Sequence, residues 1–269
     1  MKRSGIITLL TDFGLSDPYV GIMKGVILSI NPEARIIDLS HQVKAGGIFQ
    51  ASILIEESYR FFPGGTIHMV VVDPGVGGDR RPIVIKTENH FFVGPDNGLF
   101  WPILTTQQEV EVIHLTDRGY FLPRVSHTFH GRDIFAPVAA HLSIGVEPHK
   151  MGPPITDPVP LNLPRSKEKE GVLTGQVIRV DHFGNLITNI QREDLTRFLG
   201  SKTPIIRLGD LIIEGVHTTY TEGKEGEMFA LIDSSDALEI AVNMGRACDR
   251  IGMRAEEIVG MEVEVIKAV

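Results

Sequence analysis

The chain has 269 residues, 42% of them hydrophobic and 22% charged, with a formal net charge of −8. That balance is ordinary for a globular protein, is long enough for one large or two modest domains, and argues against a general nucleic-acid binder, whose surface is usually basic. The single cysteine, Cys248, forbids an intrachain disulfide and fits a reducing compartment.

The opening MKRSGIITLL reaches Thr11-Asp12 too soon for a signal-peptide core or a membrane span, so a cytoplasmic location is expected. Residues 5–10 read as a buried strand running into the loop Thr11-Asp12-Phe13-Gly14. Val20, Met23, Val26/Ile27 and Ile30 then recur at helical spacing until Asn31-Pro32 stops them. A second strand, 34–39, ends at Ser40-His41, where His41 reads as a structural loop residue. Helical spacing returns over 48–62 and stops at Gly64-Gly65. Residues 69–72 form a buried strand. Strands 83–86 and 91–93 flank a turn at Glu88-Asn89-His90, and 94–98 is a tight loop in which Asp96 and Asn97 supply turn chemistry. A strand over 110–115 and a helix over 131–145 complete the alternation, which predicts a mostly parallel α/β sheet.

Five prolines, Pro153, Pro154, Pro158, Pro160 and Pro164, precede the charged run 165–170 and mark the best domain boundary. The division expected is an α/β domain over 1–164 and a smaller one over 171–269. Beyond the boundary the pattern is short β runs, 172–180, 186–190, 205–213, 228–232, 238–242 and 259–265, with one short helix at 192–199. This half predicts a small all-β, barrel-like domain.

The stretch VVVDPGVGGDRR, 70–81, carries the sharpest chemical signal. A buried strand stops on Pro74, and Gly75, Gly77 and Gly78 give a backbone that turns sharply and admits a ligand. Asp73 therefore sits at the carboxyl end of a strand, the edge where open α/β sheets bind ligands. Taken alone, Asp73 reads equally as the cap of its own turn. In TFHGRDIFAP, 128–137, His130 stands before a glycine and a helix start. In DHFGN, 181–185, an acid, an aromatic and an amide share one turn. No GxGxxG follows the first strand, so no dinucleotide cofactor is expected. No HExxH, CxxC or paired-histidine cluster points to a metal.

These motifs together, LLTDFGLSDPYVGIMKGVI, VVDPGVGGDRR, TFHGRDIFAP and DHFGNLITNI, resemble the S-adenosylmethionine hydroxide adenosyltransferases, hydrolytic relatives of the fluorinases and chlorinases. The resemblance runs in order along nearly the whole chain. It implies S-adenosyl-L-methionine (SAM) as substrate, no cofactor, and water attack at ribose C5′ giving adenosine and L-methionine. It assigns catalysis to Asp73, Arg80 and His130, with Arg81 as a fallback for Arg80. It places Asp12 on the ribose hydroxyls, Asp17, Tyr19 and Phe129 in the same pocket, and Asp181, Asn185 and Phe183 at the amino-acid end. Ser234 falls where the family holds the methionine carboxylate, and Val242 and Met244 border adenine. The halogenating relatives have an arginine at the position of Ser235, a tyrosine at Asp73 and a serine at Gly131. A carboxylate at 73 repels a halide, so hydrolysis is expected over halogenation. The alternative from another class is a sensor that binds adenosine or SAM with little turnover. The resemblance also implies a homotrimer with its active site at the subunit interface.

Overall fold

The computed structural model describes residues 1–268. They form two compact units, the first ending at Asn162 and the second beginning at Leu163.

The first unit runs β1 (Ile6–Thr11), α1 (Tyr19–Ile30), β2 (Arg35–Ser40), α2 (Ile48–Tyr59), β3 (Thr66–Val71), β4 (Pro82–Thr87), β5 (His90–Pro95), α3 (Trp101–Thr106), β6 (Val110–His114), α4 (Ala136–Ser143) and β7 (Pro154–Ile155). Its sheet has the order β2-β1-β3-β5-β4-β6-β7. The first four strands in that order are parallel, and the β4/β5 hairpin turns the remainder antiparallel. Every residue of β1, β3 and β5 is buried, because helices cover both faces. Alternation along the strands sorts the core. Ile7, Leu9, Met69 and Val71 pack with Met23 and Ile27 of α1 and with Val138 and Leu142 of α4. Leu10, Val70 and Phe92 pack on the other face with Ala51 and Ile55 of α2 and Ile103 of α3. In the parallel register Thr11 lies beside Val71, so Asp12 and Asp73 leave neighbouring strands at one sheet edge.

The expected helix 131–145 has a different first half. Gly131–Phe135 is a π-helical turn, in which the Ala136 N–H donates to the Gly131 carbonyl, and α4 begins only after it. Pro137 is the cause: it has no N–H for the carbonyl four residues back. That carbonyl, of Asp133, is taken up by the Leu122 N–H at 2.9 Å. Helix α3, with Pro102 in its first turn, has too short an apolar pattern to be read from spacing.

The second unit runs β8 (Lys167–Lys169), β9 (Val172–Val180), β10 (Leu186–Gln191), α5 (Arg192–Leu199), β11 (Pro204–Leu208), β12 (Leu211–Glu214), β13 (Met228–Ile232), β14 (Ala237–Val242), α6 (Ala247–Ile251), α7 (Ala255–Ile258) and β15 (Glu262–Lys267). Its antiparallel sheet follows β12-β11-β15-β9-β10-β14-β13, with β8 on β9, and its end strands β12 and β13 approach each other as a nearly closed barrel. Leu173, Val177, Leu186, Ile240 and Val263 fill it, and Leu195 and Phe198 of α5 pack on that core. The run 205–213 is a hairpin broken at Gly209, whose φ of +58° suits glycine. Helices α6 and α7 join the one short helix expected here.

Candidate active site

Asp73 follows β3 and opens a loop of tight turns, with Val76 N–H on the Asp73 carbonyl and Gly78 N–H on that of Gly75. Asn97 Nδ2 donates to the Val72 carbonyl at 2.9 Å and fixes the strand end beneath Asp73. Gly77 is demanded by packing. Its φ is +78°, and a Cβ there would lie 2.1 Å from the His127 carbonyl oxygen. The loop therefore lies directly on the segment that carries His130.

Asp73, Arg80 and His130 meet. Arg80 Nε donates to both Asp73 oxygens, at 3.0 and 2.8 Å, and Nη2 lies 2.5 Å from Oδ2. The same Nη2 lies 2.5 Å from His130 Nδ1. The two ionic side chains are only 9% and 4% exposed, and Phe135 lies under the guanidinium. An arginine has only donors, so His130 Nδ1 accepts, and the neutral ring carries its proton on Nε2. Burial first, and then the Arg80 cation, lower the His130 pKa, while the Asp73 charge opposes the shift. The imidazole is thus held neutral.

Arg81 points elsewhere. Its guanidinium pairs with Asp96 at 2.7 Å and Asp157 at 2.8 Å, and Asp96 also accepts from Val159 N–H. Asp96 is therefore the anchor of an ion-pair network as well as a turn residue. His41 is structural: Nδ1 bonds Thr11 Oγ1 at 2.8 Å and Nε2 lies 3.0 Å from Asp38.

Beside the triad is a chamber of about 40 Å³ walled by Asp73, Val76, His130 and Gly131. That is room for a water, with polar groups to hold it. Phe13, Thr128 and Phe129 divide it from a cleft of about 520 Å³, which Tyr19, Ser126 and Arg132 also line. Phe13, Tyr19 and Phe129 pack edge to face, with centroids 5.3 to 6.0 Å apart. Tyr19 and Phe129 thus form an aromatic wall of the cleft. Asp12 lies next to this wall in sequence, its Oδ2 accepting from Gly46 N–H at 2.8 Å. Asp17 is exposed just before α1 and lines neither space. Phe13, Ser126, Thr128 and Arg132 were not singled out from sequence, although each lies within the motifs around Asp12 and His130 or just before them.

In the second unit, Asp181 builds its own turn. Its carboxylate accepts from Asn185 N–H at 2.8 Å, and Asn185 Nδ2 lies 3.4 Å away. Phe183 is 70% and Met244 86% exposed, Ser234 is exposed, and Val242 is buried in β14. Asp233 accepts from Ser235 and Ala237 N–H groups and shapes the turn that carries Ser234. Sequence reading missed Glu239, a carboxylate buried mid-strand that accepts from the Tyr220 hydroxyl at 2.8 Å. Burial, with the Asp181 and Asp233 charges, raises its pKa. Among the described residues no three His, Cys, Asp or Glu side chains converge as metal ligands, and no helix is long and apolar enough to cross a membrane.

The family models for the SAM hydroxide adenosyltransferase N-terminal and C-terminal domains match residues 7–152 and 175–260. The chain belongs to the SAM hydroxide adenosyltransferase family. It is 36% identical over 258 residues to a protein of Salinispora tropica named (R)-S-adenosyl-L-methionine hydrolase, covering 92% of this chain and 94% of that one. A Thermus thermophilus protein of the same name is 33% identical, covering 97% and 99%. A fluorinase of Actinoplanes sp. is more distant, at 26% identity over 98% of both chains. A crystal structure of an uncharacterised conserved protein from Thermotoga maritima superposes with a TM-score of 0.90 at 35% identity, covering 97% of this chain and all of that one.

Proposed function

We propose that the protein hydrolyses S-adenosyl-L-methionine to adenosine and L-methionine, with the first unit supplying the catalytic groups. The observation that carries this reading is the Asp73–Arg80–His130 contact beside a water-sized chamber that shares Phe13, Thr128 and Phe129 with an aromatic cleft. The family membership and the hydrolase names of relatives at 33–36% identity support it.

The sulfonium makes C5′ electrophilic. A water in the chamber attacks C5′ as the C5′–S bond breaks, and the bonding pair leaves with sulfur as a neutral thioether. That leaving group takes no proton, so no general acid is needed. Asp73 accepts the water proton, which its remaining lone pairs allow. Arg80, always cationic, stabilises the developing charge on oxygen. His130 holds Arg80 through Nδ1. Asp12 binds the ribose diol, and Tyr19 and Phe129 form the pocket wall. Asp181, Asn185 and Ser234 take the amino-acid end, Phe183 closes on the ligand, and Val242 and Met244 border adenine. The exposure of Phe183 and Met244 in the single chain supports a homotrimer whose subunits complete each other's sites. A reducing cytoplasm is the setting proposed.

The test is to supply the R and S sulfonium epimers separately, with and without chloride, and to identify products from the parent and from Asp73→Ala. Adenosine and methionine from the parent alone support the reading. A chlorinated nucleoside, or ligand bound without turnover, contradicts it. Sedimentation of a fully active monomer would remove the trimer.

A further inference from the structure

Asp133 is completely buried, and no step above uses it. Its carboxylate is unusually occupied. Ser126 N–H and Ser126 hydroxyl donate to Oδ2 at 2.8 and 2.7 Å. Arg132 Nε donates to Oδ1 at 2.6 Å and Nη2 to Oδ2 at 3.1 Å. The Ser126 hydroxyl also accepts from Phe129 N–H at 3.1 Å, and the Arg132 guanidinium lies over the Phe129 ring. Arg132 and Asp133 N–H groups both donate to the Phe129 carbonyl at 3.1 Å. His130 is the residue these contacts enclose. Its Nδ1 accepts a hydrogen bond from Arg80.

We infer that Asp133 and Ser126 are positioning residues that fix the turn carrying His130 and so keep its Nδ1 aimed at Arg80. The inference rests on the catalytic assignment proposed above and goes beyond it. The physical reason is that a neutral imidazole has two nitrogens of opposite character, and the acceptor on one fixes what the other does. Here Arg80 needs an acceptor at Nδ1. The ring offers it only while the loop before His130 keeps its place, and the buried carboxylate pins that loop through Ser126 N–H and hydroxyl, the hydroxyl in turn accepting from Phe129 N–H. The π-helical turn brings Asp133 back under Ser126 while α4 remains continuous beyond it.

The test uses Ser126→Ala, Asp133→Asn, Ser126→Thr and His130→Ala in the full chain, assayed with S-adenosyl-L-methionine. Circular dichroism gives the folded fraction, and nitrogen-15 spectra of the histidine rings report the tautomer. Expected for Ser126→Ala and Asp133→Asn is a kcat lower by about tenfold or more, KM within about twofold, and His130 ring signals moved towards mixed tautomers. Ser126→Thr, which keeps the hydroxyl, restores kcat. Parental kcat and ring signals in folded Ser126→Ala would overturn the inference, as would a kcat that falls only with the folded fraction. If Asp133→Asn does not fold, Ser126→Ala alone decides. His130→Ala separates the two claims. Full turnover there would sink the catalytic assignment itself, whereas its loss beside a fully active Ser126→Ala would sink only this inference.

Discussion

The two units hold their polar groups in opposite ways. In the first, Asp73 and Arg80 are nearly buried and His130 half-buried, the three are bonded to one another, and they are backed by a second ring of contacts from Asn97, Asp133 and Ser126. In the second, Asp181 and Asn185 satisfy each other within one turn, and Phe183, Ser234 and Met244 face solvent. The difference teaches which job each set can do in the single chain. Charge developing in a transition state is best met by groups already oriented and desolvated. Recognition of a flexible amino-acid tail tolerates groups that become enclosed only on binding. The first unit should therefore govern kcat and the second KM.

Replacing Asp73 by asparagine is the harshest break. It keeps the shape but removes the proton acceptor and leaves Arg80 buried without its counter-charge, so kcat should fall about 10³-fold, read by adenosine release. Arg80→Lys keeps a charge but not the fork that spans Asp73 and His130, and kcat should fall on the order of 10²-fold. Asp181→Asn tests the other half. KM should rise on the order of tenfold with kcat nearly unchanged, as loss of a charged hydrogen bond to the ammonium predicts. A kcat effect there equal to that of Arg80→Lys would erase the division of labour.

The sheet edge was legible because its signals are local: a buried strand, then proline and three glycines, placed Asp73 without any tertiary information. The same holds for α1, α5 and the change of pattern beyond the prolines. Which arginine reaches Asp73 depends on partners elsewhere in the chain, since Arg81 pairs with Asp96 and Asp157. The π-helical turn was illegible because it depends on Pro137 and on Leu122, nine residues before Gly131, and hydrophobic spacing registers neither. Glu239 was hidden by its surroundings. In the strand LEIAV it reads as the outward member of an alternation, yet it is buried against Tyr220.

Two smaller effects sharpen the comparison. Burial and Arg80 depress the His130 pKa, so the imidazole stays neutral somewhat below its ordinary 6.5, and the acid limb of kcat should lie below that value. An acid limb at or above 6.5 would contradict this. His68, buried between Thr8 and His90, is pushed down to about 3, chiefly by burial. The unfolded chain then binds the extra proton first, and stability of the first unit should fall as pH drops from 6.5 towards 3. Urea midpoints across that window measure it, and His68→Gln should flatten the slope.

The most direct measurement is hydrolysis of S-adenosyl-L-methionine in oxygen-18 water, followed by mass spectrometry of both products. The account predicts one heavy oxygen in adenosine, at the 5′ position, and none in methionine. Unlabelled adenosine, or label in the methionine fragment, would contradict attack at C5′ from the chamber beside Asp73.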